Sequence, residues 1–286
     1  MTVSGALSRQ RRVVLITGAS SGIGKACAEF LHGQGYRVYG TSRRAPRAVV
    51  ETQEGEGYQQ GFPLIPLDVT SDESVERGVA IVLAREGRLD VVVNNAGFGL
   101  AGAVEETTVD EAREQFDTNF FGTLRLCRAV LPTMRQQGGG YILNVSSIAG
   151  LIGIPFQALY SASKFAVEGF TEALRLEVAP HGIRVVLVEP GDFRTGFTAS
   201  RRLARAAHSP VYADRQEKAL GVMERDETHG ATPESVARLV YRIIRKGSPR
   251  LRYAVGPASE TVALALKRLA PSRLFEWGIA SYYRVR

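Results

Sequence analysis

Short apolar runs and longer amphipathic segments alternate along most of this chain. The apolar runs predict strands at Val13–Thr17, Arg37–Thr41, Leu64–Leu67, Val91–Asn94, Tyr141–Val145, Arg184–Val188 and Tyr253–Val255. The segments between them predict helices at Ile23–Gln34, Ser74–Glu86, Asp110–Gln136, Ser161–Ala179 and Pro233–Lys246. Several runs are apolar throughout, which is typical of strands covered on both faces of a sheet. The pattern predicts an α/β fold: a Rossmann-type, doubly wound parallel sheet with helices on both faces.

Two segments depart from this alternation. Gly191–Thr232 is long, polar and poor in strand signal, and a long irregular insertion in a compact domain often forms a lid or binding loop. The tail, Ala258–Arg286, carries an apolar and basic helix at Glu260–Leu269 and an aromatic-rich end. It could cap a substrate pocket, pack on a partner subunit or lie on a membrane surface. We predict one domain over residues 1–286, with a substrate loop at 191–232 and a C-terminal helical extension at 258–286.

A glycine-rich turn joins the first predicted strand to the first predicted helix. Its sequence is Thr17-Gly18-Ala19-Ser20-Ser21-Gly22-Ile23-Gly24. Gly18 permits a tight turn, Gly22 lets the backbone approach a pyrophosphate, and Gly24 lets the helix pack on the strand. The helix that opens near Ile23 offers free N–H groups and the positive end of its dipole to phosphates. A strand before the cluster and a helix after it are the context that indicates dinucleotide binding.

The end of the second predicted strand indicates which dinucleotide binds. An NAD site usually has an acidic residue there for the ribose 2′-hydroxyl, but this chain has Ser42, Arg43 and Arg44. Guanidinium groups suit a 2′-phosphate through their charge and forked donors. The sequence therefore predicts NADP(H) as the cofactor.

Tyr160 and Lys164 are four residues apart in a predicted helix, which puts them on one face. A nearby ammonium lowers the pKa of a tyrosine and makes it usable as an acid or base. Thirteen residues before Tyr160, a strand ends in Ser146-Ser147, at the edge of the sheet where α/β folds bind ligands. Either hydroxyl could donate to a substrate oxygen, and the spacing favours Ser147.

These motifs together resemble the classical short-chain dehydrogenase/reductase family. The matching positions are Thr17–Gly24, Asp68-Val69, Asn94-Asn95-Ala96-Gly97, Asn119, Ser147, Tyr160 with Lys164, and Pro190-Gly191 followed by Thr195. They occur in the family's order and spacing over residues 13–197, about two thirds of the chain. The resemblance implies an NADP-dependent enzyme that interconverts a carbonyl and a secondary alcohol.

The resemblance also implies roles for single residues. Tyr160 is then the proton donor or acceptor, Ser147 positions the substrate oxygen, and Asn119 holds a proton-relay water. Lys164 binds the nicotinamide ribose and lowers the pKa of the tyrosine. Asp68 and Val69 then contact adenine, Asn95 contacts the adenosine side of the cofactor, and Thr195 binds the carboxamide. Further candidate cofactor contacts are Ala96, Gly97, Pro190 and Gly191.

A narrower likeness points to the kind of substrate. Asn95–Gly99, Gly153–Phe156 and Tyr160–Gly169 look like the branch that holds type 1 17β-hydroxysteroid dehydrogenase and photoreceptor-type retinol dehydrogenase. This implies a bulky apolar substrate, such as a steroid, a retinoid or another lipid. Five side chains near the catalytic motifs are candidate contacts to it: Phe98, Leu151, Phe156, Phe193 and Phe197.

Charge and composition limit the other function classes. Residues 201–286 hold 17 Lys and Arg against 8 Asp and Glu, which could attract nucleic acid or anionic lipid. No nucleic-acid-binding signature accompanies the charge, so we favour a solvated basic face over a membrane contact and predict no nucleic-acid partner. Cys27 and Cys127 have no metal or redox spacing, and no signal peptide or membrane span is visible. We expect a cytoplasmic homodimer or homotetramer that acts on a small molecule without a metal.

Three other functions are compatible with parts of the sequence. A dehydratase or epimerase of the extended branch of the family spaces its glycines differently from Gly18, Gly22 and Gly24. A non-catalytic redox sensor that binds NADP(H) is the main alternative, although such proteins typically lose the tyrosine or the lysine, and this chain has both. A basic nucleic-acid or membrane binder should reveal itself by binding that weakens strongly with salt.

Overall fold

A central parallel sheet organises the fold of the computed structural model, which describes residues 11–46, 58, 59, 61–206 and 209–286. The strands are β1 (Val13–Ile16), β2 (Arg37–Ser42), β3 (Tyr58–Gln59), β4 (Phe62–Pro66), β5 (Val91–Asn94), β6 (Leu100–Ala101), β7 (Gly140–Val145), β8 (Ile183–Pro190), β9 (Arg202–Leu203) and β10 (Arg252–Val255). Seven run parallel in the order β10-β8-β7-β5-β1-β2-β4, and β3 pairs antiparallel with β4 at one edge. The predicted doubly wound sheet is confirmed.

Helices cover both faces of this sheet. They are α1 (Gly22–Gly33), α2 (Asp72–Glu86), α3 (Val109–Phe116), α4 (Gly122–Gln136), α5 (Ala158–Val178), α6 (Phe197–Ser200), α7 (Ala213–His229), α8 (Pro233–Ile244), α9 (Ala258–Leu269) and α10 (Ser272–Tyr282). The strand side chains divide between two apolar cores, one with α1 and α8 and the other with α2, α4 and α5. Burying both faces explains why the strands read as unbroken apolar runs.

The segment after β8 is more regular than the sequence predicted. The prediction of an irregular stretch at Gly191–Thr232 is wrong for 213–229, which form the 17-residue helix α7. Its buried face contains Gln216 and Glu227 beside Ala219, Val222 and Met223, so an apolar repeat is not visible in the sequence. The segment also contributes β9, which pairs in parallel with β6.

Two helical regions also differ from the prediction. The single helix expected at Asp110–Gln136 is α3 and α4 joined by a π-helical turn at Asp117–Phe121. The aromatic-rich end forms a second helix of the extension, α10, which starts after Pro271. Across 11–46, 58, 59, 61–206 and 209–286, no helix is long and apolar enough to cross a membrane.

Candidate active site

One cavity of about 980 Å³ lies at the carboxyl ends of the parallel strands. The glycine turn, the ends of β2, β7 and β8, and the extension α9–α10 all contribute to its wall. Every residue that the sequence assigns to the cofactor lines this cavity except Gly24, and so do Ser147, Tyr160 and Lys164. The topology therefore brings together residues that are up to about 180 positions apart in the chain.

The glycine turn has the shape that a pyrophosphate requires. Gly18 and Gly22 have φ values of 65° and 54°, which side-chain-bearing residues rarely adopt. A Cβ on Gly24 would lie 2.5 Å from Asn95 Nδ2, so only glycine fits where α1 packs against the turn. The N-cap, Ser21, makes no side-chain capping bond. The start of α1 thus offers its N–H groups to a phosphate, and the residues present fit a dinucleotide.

Asn95 holds the turn in place from the neighbouring strand end. Its Nδ2 donates to the carbonyl oxygen of Thr17 at 3.0 Å, and the backbone N–H groups of Asn95 and Ala96 donate to Thr17 Oγ1 at 2.9 and 3.0 Å. These bonds join β1 to the residues after β5. In this structure Asn95 therefore also fixes the backbone against which an adenosine would lie.

The end of β2 presents two cations to the cavity. Arg43 and Arg44 are exposed and have no salt-bridge partner among the residues that the structure describes. The Ser42 hydroxyl accepts a hydrogen bond from the backbone N–H of Arg44 at 3.2 Å. Across the cavity, the Asp68 carboxylate caps its own turn by accepting from Thr70. No carboxylate stands at the end of β2 itself, where an NAD site usually has one.

Tyr160 is buried on α5, and the hydroxyl beside it belongs to Ser147. Burial raises the pKa of Tyr160 to about 12, while the interaction with Ser147 acts in the opposite direction. Ser147 Oγ also accepts from the backbone N–H of Ala149 at 3.1 Å, which orients it. The Ser146 hydroxyl lies elsewhere, beside Glu168 and Gly150. The geometry therefore pairs Ser147 with the phenol, as the spacing favoured.

Lys164 lies one helical turn from Tyr160, and its Nζ is 5.9 Å from the centre of the tyrosine ring. The ammonium donates to the Val145 carbonyl oxygen at 2.9 Å. Burial lowers the pKa of Lys164 to about 8, and Glu168 acts against this effect. For Tyr160 burial is the largest effect on the pKa, so the phenol keeps its proton near neutral pH.

Asn119 lies in the π-helical turn between α3 and α4 and is buried. Its Nδ2 donates to the Phe98 carbonyl oxygen and to Ser163 Oγ, both at 3.1 Å, and its Oδ1 accepts from the Phe98 N–H at 3.1 Å. The side chain therefore ties α5 to the loop after β5. A π-turn that interrupts a helix is frequent at functional sites.

The five predicted substrate residues separate into two groups. Phe98, Phe193 and Phe197 line the cavity, and the Phe197 ring centre is 5.7 Å from that of Tyr160. Phe193 is also part of the core, where it is almost fully buried. Leu151 and Phe156 lie outside the lining. Phe156 has a positive φ of 58°, and its carbonyl oxygen accepts from the Gly102 N–H at 2.8 Å.

Polar residues that the sequence analysis did not identify also line the cavity. Asp192 and Glu260 are adjacent carboxyls, and the Asp192 backbone N–H donates to Glu260 Oε1 at 3.0 Å. Burial raises the pKa of both, and that of Asp192 reaches about 8 with Glu260 beside it. Gln157, three residues before Tyr160, is buried, and its Nε2 has no hydrogen-bond partner among the described residues. None of these positions carries a local sequence signal.

The segment 191–232 is held together by an ion pair of its own, and the Arg202 side chain and β9 hold it against the body. Glu227 on α7 is buried and pairs with Arg201 and with the Thr198 hydroxyl. The Arg202 guanidinium stacks 4.4 Å from the centre of the Phe98 ring. Because β9 also pairs with β6, this segment closes the side of the cavity that faces Tyr160.

The extension supplies the rest of the wall. Its lining residues are Ser259, Glu260, Ala263, Leu266, Ala270, Leu274, Phe275, Trp277, Gly278, Ile279, Tyr282 and Tyr283. Most of these side chains are apolar. Of the three roles that the sequence left open for the extension, the structure places it against the cavity.

Two curated relatives match this chain over nearly all of its length. A 3-ketodihydrosphingosine reductase of Bacteroides thetaiotaomicron is 41% identical over 278 residues, which cover 97% of this chain and 100% of the relative. Retinol dehydrogenase 8 of Bos taurus is 37% identical over 274 residues, which cover 91% of this chain and 86% of the relative. The likeness to a branch with retinol and steroid dehydrogenases is thereby confirmed.

Solved structures agree with the fold and with a nicotinamide cofactor. A short-chain dehydrogenase from Streptomyces avermitilis has a TM-score of 0.79 at 36% identity, and the match covers 95% of this chain and 98% of that protein. An alcohol dehydrogenase from Thermococcus sibiricus holds 5-hydroxy-NADP. It has a TM-score of 0.68 at 27% identity, and the match covers 87% of this chain and 97% of that protein. A short-chain dehydrogenase/reductase from Burkholderia phymatum holds NAD. It has a TM-score of 0.74 at 26% identity, and the match covers 91% of this chain and 92% of that protein.

The profile of one protein family matches the part of the chain that carries the motifs. It is described as short chain dehydrogenase and matches residues 12–206, from β1 to the segment beyond the Pro190-Gly191 turn. Together with the relatives and the strand order, this match establishes that the chain belongs to the short-chain dehydrogenase family, whose members are oxidoreductases that act on CH–OH groups.

Proposed function

We propose that this chain is an NADP(H)-dependent oxidoreductase that interconverts a carbonyl and a secondary alcohol on a bulky apolar substrate. The observation that carries the proposal is the grouping of Tyr160, Ser147 and Lys164 beside a glycine turn in one cavity. A protonated phenol, a second hydroxyl and a cofactor cradle are what carbonyl reduction requires.

In this proposal the proton moves from Tyr160 Oη to the oxygen of the carbonyl. The buried phenol is protonated at neutral pH, because burial raises its pKa to about 12. Lys164 is proposed to lower this pKa towards the working pH, where a general acid is most effective. Ser147 donates to the same oxygen and stabilises the charge that develops there. The nicotinamide, when bound, supplies the hydride. Lys164 binds the ribose, and Asn119 holds the water through which Tyr160 recovers its proton.

NADP(H) is proposed over NAD(H) because of the end of β2. The exposed Arg43 and Arg44 face the cavity with no competing salt bridge among the described residues, and Ser42 stands where an acidic residue would repel a 2′-phosphate. Gly18, Gly22 and the start of α1 are proposed to hold the pyrophosphate, Asp68 and Val69 the adenine, and Thr195 the carboxamide.

The proposed substrate is a long-chain keto lipid. The extension lines the cavity with apolar side chains such as Leu266, Leu274 and Ile279, which suit an alkyl chain. Gln157 and the Asp192–Glu260 pair lie in the same cavity and could bind a polar head. The relatives named for 3-ketodihydrosphingosine and for retinol both point to substrates with long apolar portions.

A substrate screen tests this proposal. Oxidation of NADPH, followed at the absorbance of the reduced nicotinamide, is measured with 3-ketodihydrosphingosine, a steroid ketone, retinal and a small sugar ketone. We expect turnover with the long-chain ketone and none with the sugar, and loss of turnover in Tyr160→Phe. Binding of NADPH without turnover of any carbonyl would favour the redox sensor instead.

We propose that residues 1–286 act as one domain, in which 191–232 forms the substrate loop and 258–286 the helical extension. We further propose that the protein is cytoplasmic and forms a homodimer or homotetramer. The pairing is proposed to involve α4 and α5, because Phe165 and Leu176 on α5 and Phe121, just before α4, are exposed apolar residues.

A further inference from the structure

The extension carries an exposed apolar surface at the mouth of the cavity. On α9, Val262, Leu266 and Leu269 follow one another at spacings of four and three residues, and so share one face of the helix. On α10, Leu274 and Trp277 are three residues apart and are also exposed. We call these five residues the C-terminal apolar face. Neither helix has a fully buried residue among those that the structure describes.

We propose that the C-terminal apolar face docks on the surface of an anionic lipid bilayer. Contiguous exposed apolar surface usually marks an interaction site, because leaving it in water is unfavourable. With 12 and 11 residues, α9 and α10 are too short to span a bilayer, but helices of this kind can lie in the plane of its interface.

The face is continuous with the wall of the cavity. Leu266, Leu274 and Trp277 are more than half exposed and also line the cavity, so they stand at its mouth. A membrane against this mouth would let an apolar molecule pass between bilayer and cavity without crossing water. This continuity explains why apolar side chains stay exposed at this place.

Charge favours a bilayer over a second copy of the chain. Residues 258–286 hold five Lys and Arg against two Asp and Glu. Arg273 and Arg284 are exposed and have no salt-bridge partner among the described residues, so they remain available to anionic headgroups. A symmetric contact between two copies of this face would instead bring like charges together. The sequence alone favoured a solvated basic face, and the apolar residues between the cations change that view.

Trp277 allows a direct test because it is the only tryptophan in the chain. Vesicles of phosphatidylcholine alone are compared with vesicles of three parts phosphatidylcholine and one part phosphatidylglycerol. With the anionic vesicles we expect a blue shift of Trp277 fluorescence, quenching by brominated lipid and co-flotation of the protein. Binding should weaken as salt is added.

Leu269→Glu is the informative variant. Leu269 is 83% exposed and does not line the cavity, so the change should leave the fold and the site intact. We expect it to lower the vesicle partition coefficient at least about tenfold, and Arg273→Glu to lower it for anionic vesicles. Val104→Glu is the matched control, because Val104 is an exposed apolar residue outside the extension. Circular dichroism checks that each variant is folded.

Three results would overturn the proposal. One is the absence of any shift or flotation with anionic vesicles. Another is vesicle binding that Leu269→Glu and Val104→Glu reduce equally. The third is no vesicle binding together with a smaller oligomer for Leu269→Glu, which would assign the face to a second copy. The readouts use no substrate, so their outcome is independent of the proposed oxidoreductase activity.

Discussion

The carboxylate of Glu260 accepts a hydrogen bond from the backbone N–H of Asp192 and thereby ties α9 to the turn that follows β8. A Cβ on Gly191 would overlap this carboxylate, so the glycine of the Pro190-Gly191 turn also makes room for the extension. The two carboxyls are largely buried, and Glu227 and Asp226 add further negative charge nearby. The C-terminal wall of the cavity is thus attached by a pair of acids that disfavour double ionisation.

This pair predicts how stability depends on pH. The folded-state pKa of Asp192 is raised from 3.8 to about 8, so between these values the folded state binds more protons than the unfolded state. The contribution of Asp192 to stability is therefore lost as the pH rises from about 4 to about 8. The free energy of unfolding of Asp192→Asn, relative to that of the wild type, should therefore rise by about 1–3 kcal/mol from pH 5 to pH 8. This range is reduced to allow for the partial exposure of the carboxyl to solvent.

Urea unfolding of the wild type and of Asp192→Asn, each at pH 5 and at pH 8, measures this difference in stability. Arg273→Asn is a suitable control, because Arg273 is exposed on the same extension. An Asp192→Asn variant whose stability relative to the wild type is the same at pH 5 and at pH 8 would contradict the raised pKa of Asp192.

Ser147 and Ser146 differ in their relation to Tyr160, and their variants should differ as well. Tyr160→Phe removes the proton donor and should lower kcat about 10²–10⁴-fold while NADPH still binds. Ser147→Ala should also lower kcat strongly, because its hydroxyl lies beside the phenol. Ser146→Ala is the control and should stay close to the wild type, since that hydroxyl lies beside Glu168. Equal losses in the two serine variants would refute this division of roles.

The sequence predicted the strands and the shape of the glycine turn well because their signals are local. An unbroken apolar run such as Val91–Asn94 reports burial on both faces of a strand, and Gly18, Gly22 and Gly24 report a backbone shape. The α7 helix has no such signal, because Gln216 and Glu227 occupy its buried face. Glu227 can be buried there because Arg201 and the Thr198 hydroxyl, which lie earlier in the segment 191–232, pair with it.

The substrate side of the site is less predictable, because residues that are close in the sequence need not be close in space. Leu151 and Phe156 lie close to Ser147 and Tyr160 in the chain but outside the cavity lining. Glu260 and Trp277 are about 100 residues away from Tyr160 in sequence, yet they line the same cavity. Such contacts follow from the packing of α9 and α10 on the body, which no local pattern encodes.

Arg43 should decide the preference between the two dinucleotides. A charge-assisted contact to a 2′-phosphate contributes about 1.5–3 kcal/mol, so Arg43→Ala should weaken NADPH binding at least about tenfold and leave NADH binding almost unchanged. Titration of each dinucleotide, followed by its fluorescence, gives both dissociation constants. Arg37→Ala is a matched control, because Arg37 is an exposed arginine at the other end of β2. The idea fails if the unmodified protein binds NADPH and NADH equally well.

Leu176 on α5 should contribute to the interface between subunits. Its side chain is 77% exposed in the single chain, on one of the two helices that are expected to pair across a two-fold axis. Leu176→Glu would bury a charge in such an interface and should shift the protein towards monomers. Light scattering at micromolar concentration measures the mass of the wild type, Leu176→Glu and Val104→Glu. A wild type that is already monomeric would exclude the interface.

Phe197 should set the preference for large apolar substrates. Its ring stands 5.7 Å from that of Tyr160, on the segment 191–232, which the pairing of β9 with β6 joins to the rest of the chain. Phe193, the other candidate on this segment, packs in the core, so its truncation would be expected to destabilise the protein as well. Phe197→Ala therefore tests contact with the substrate more cleanly.

A series of ketones with growing alkyl chains gives the measurement. In the wild type, kcat/KM should rise by up to about fourfold for each methylene that is buried, the equivalent of about 0.8 kcal/mol. Phe197→Ala should flatten this rise, because one apolar wall is lost while Tyr160 and Ser147 remain. Leu203→Ala is the control, since Leu203 is exposed on β9 and does not line the cavity. If kcat/KM does not change with chain length in the wild type, the cavity does not select for apolar bulk and a small polar carbonyl becomes the better candidate substrate.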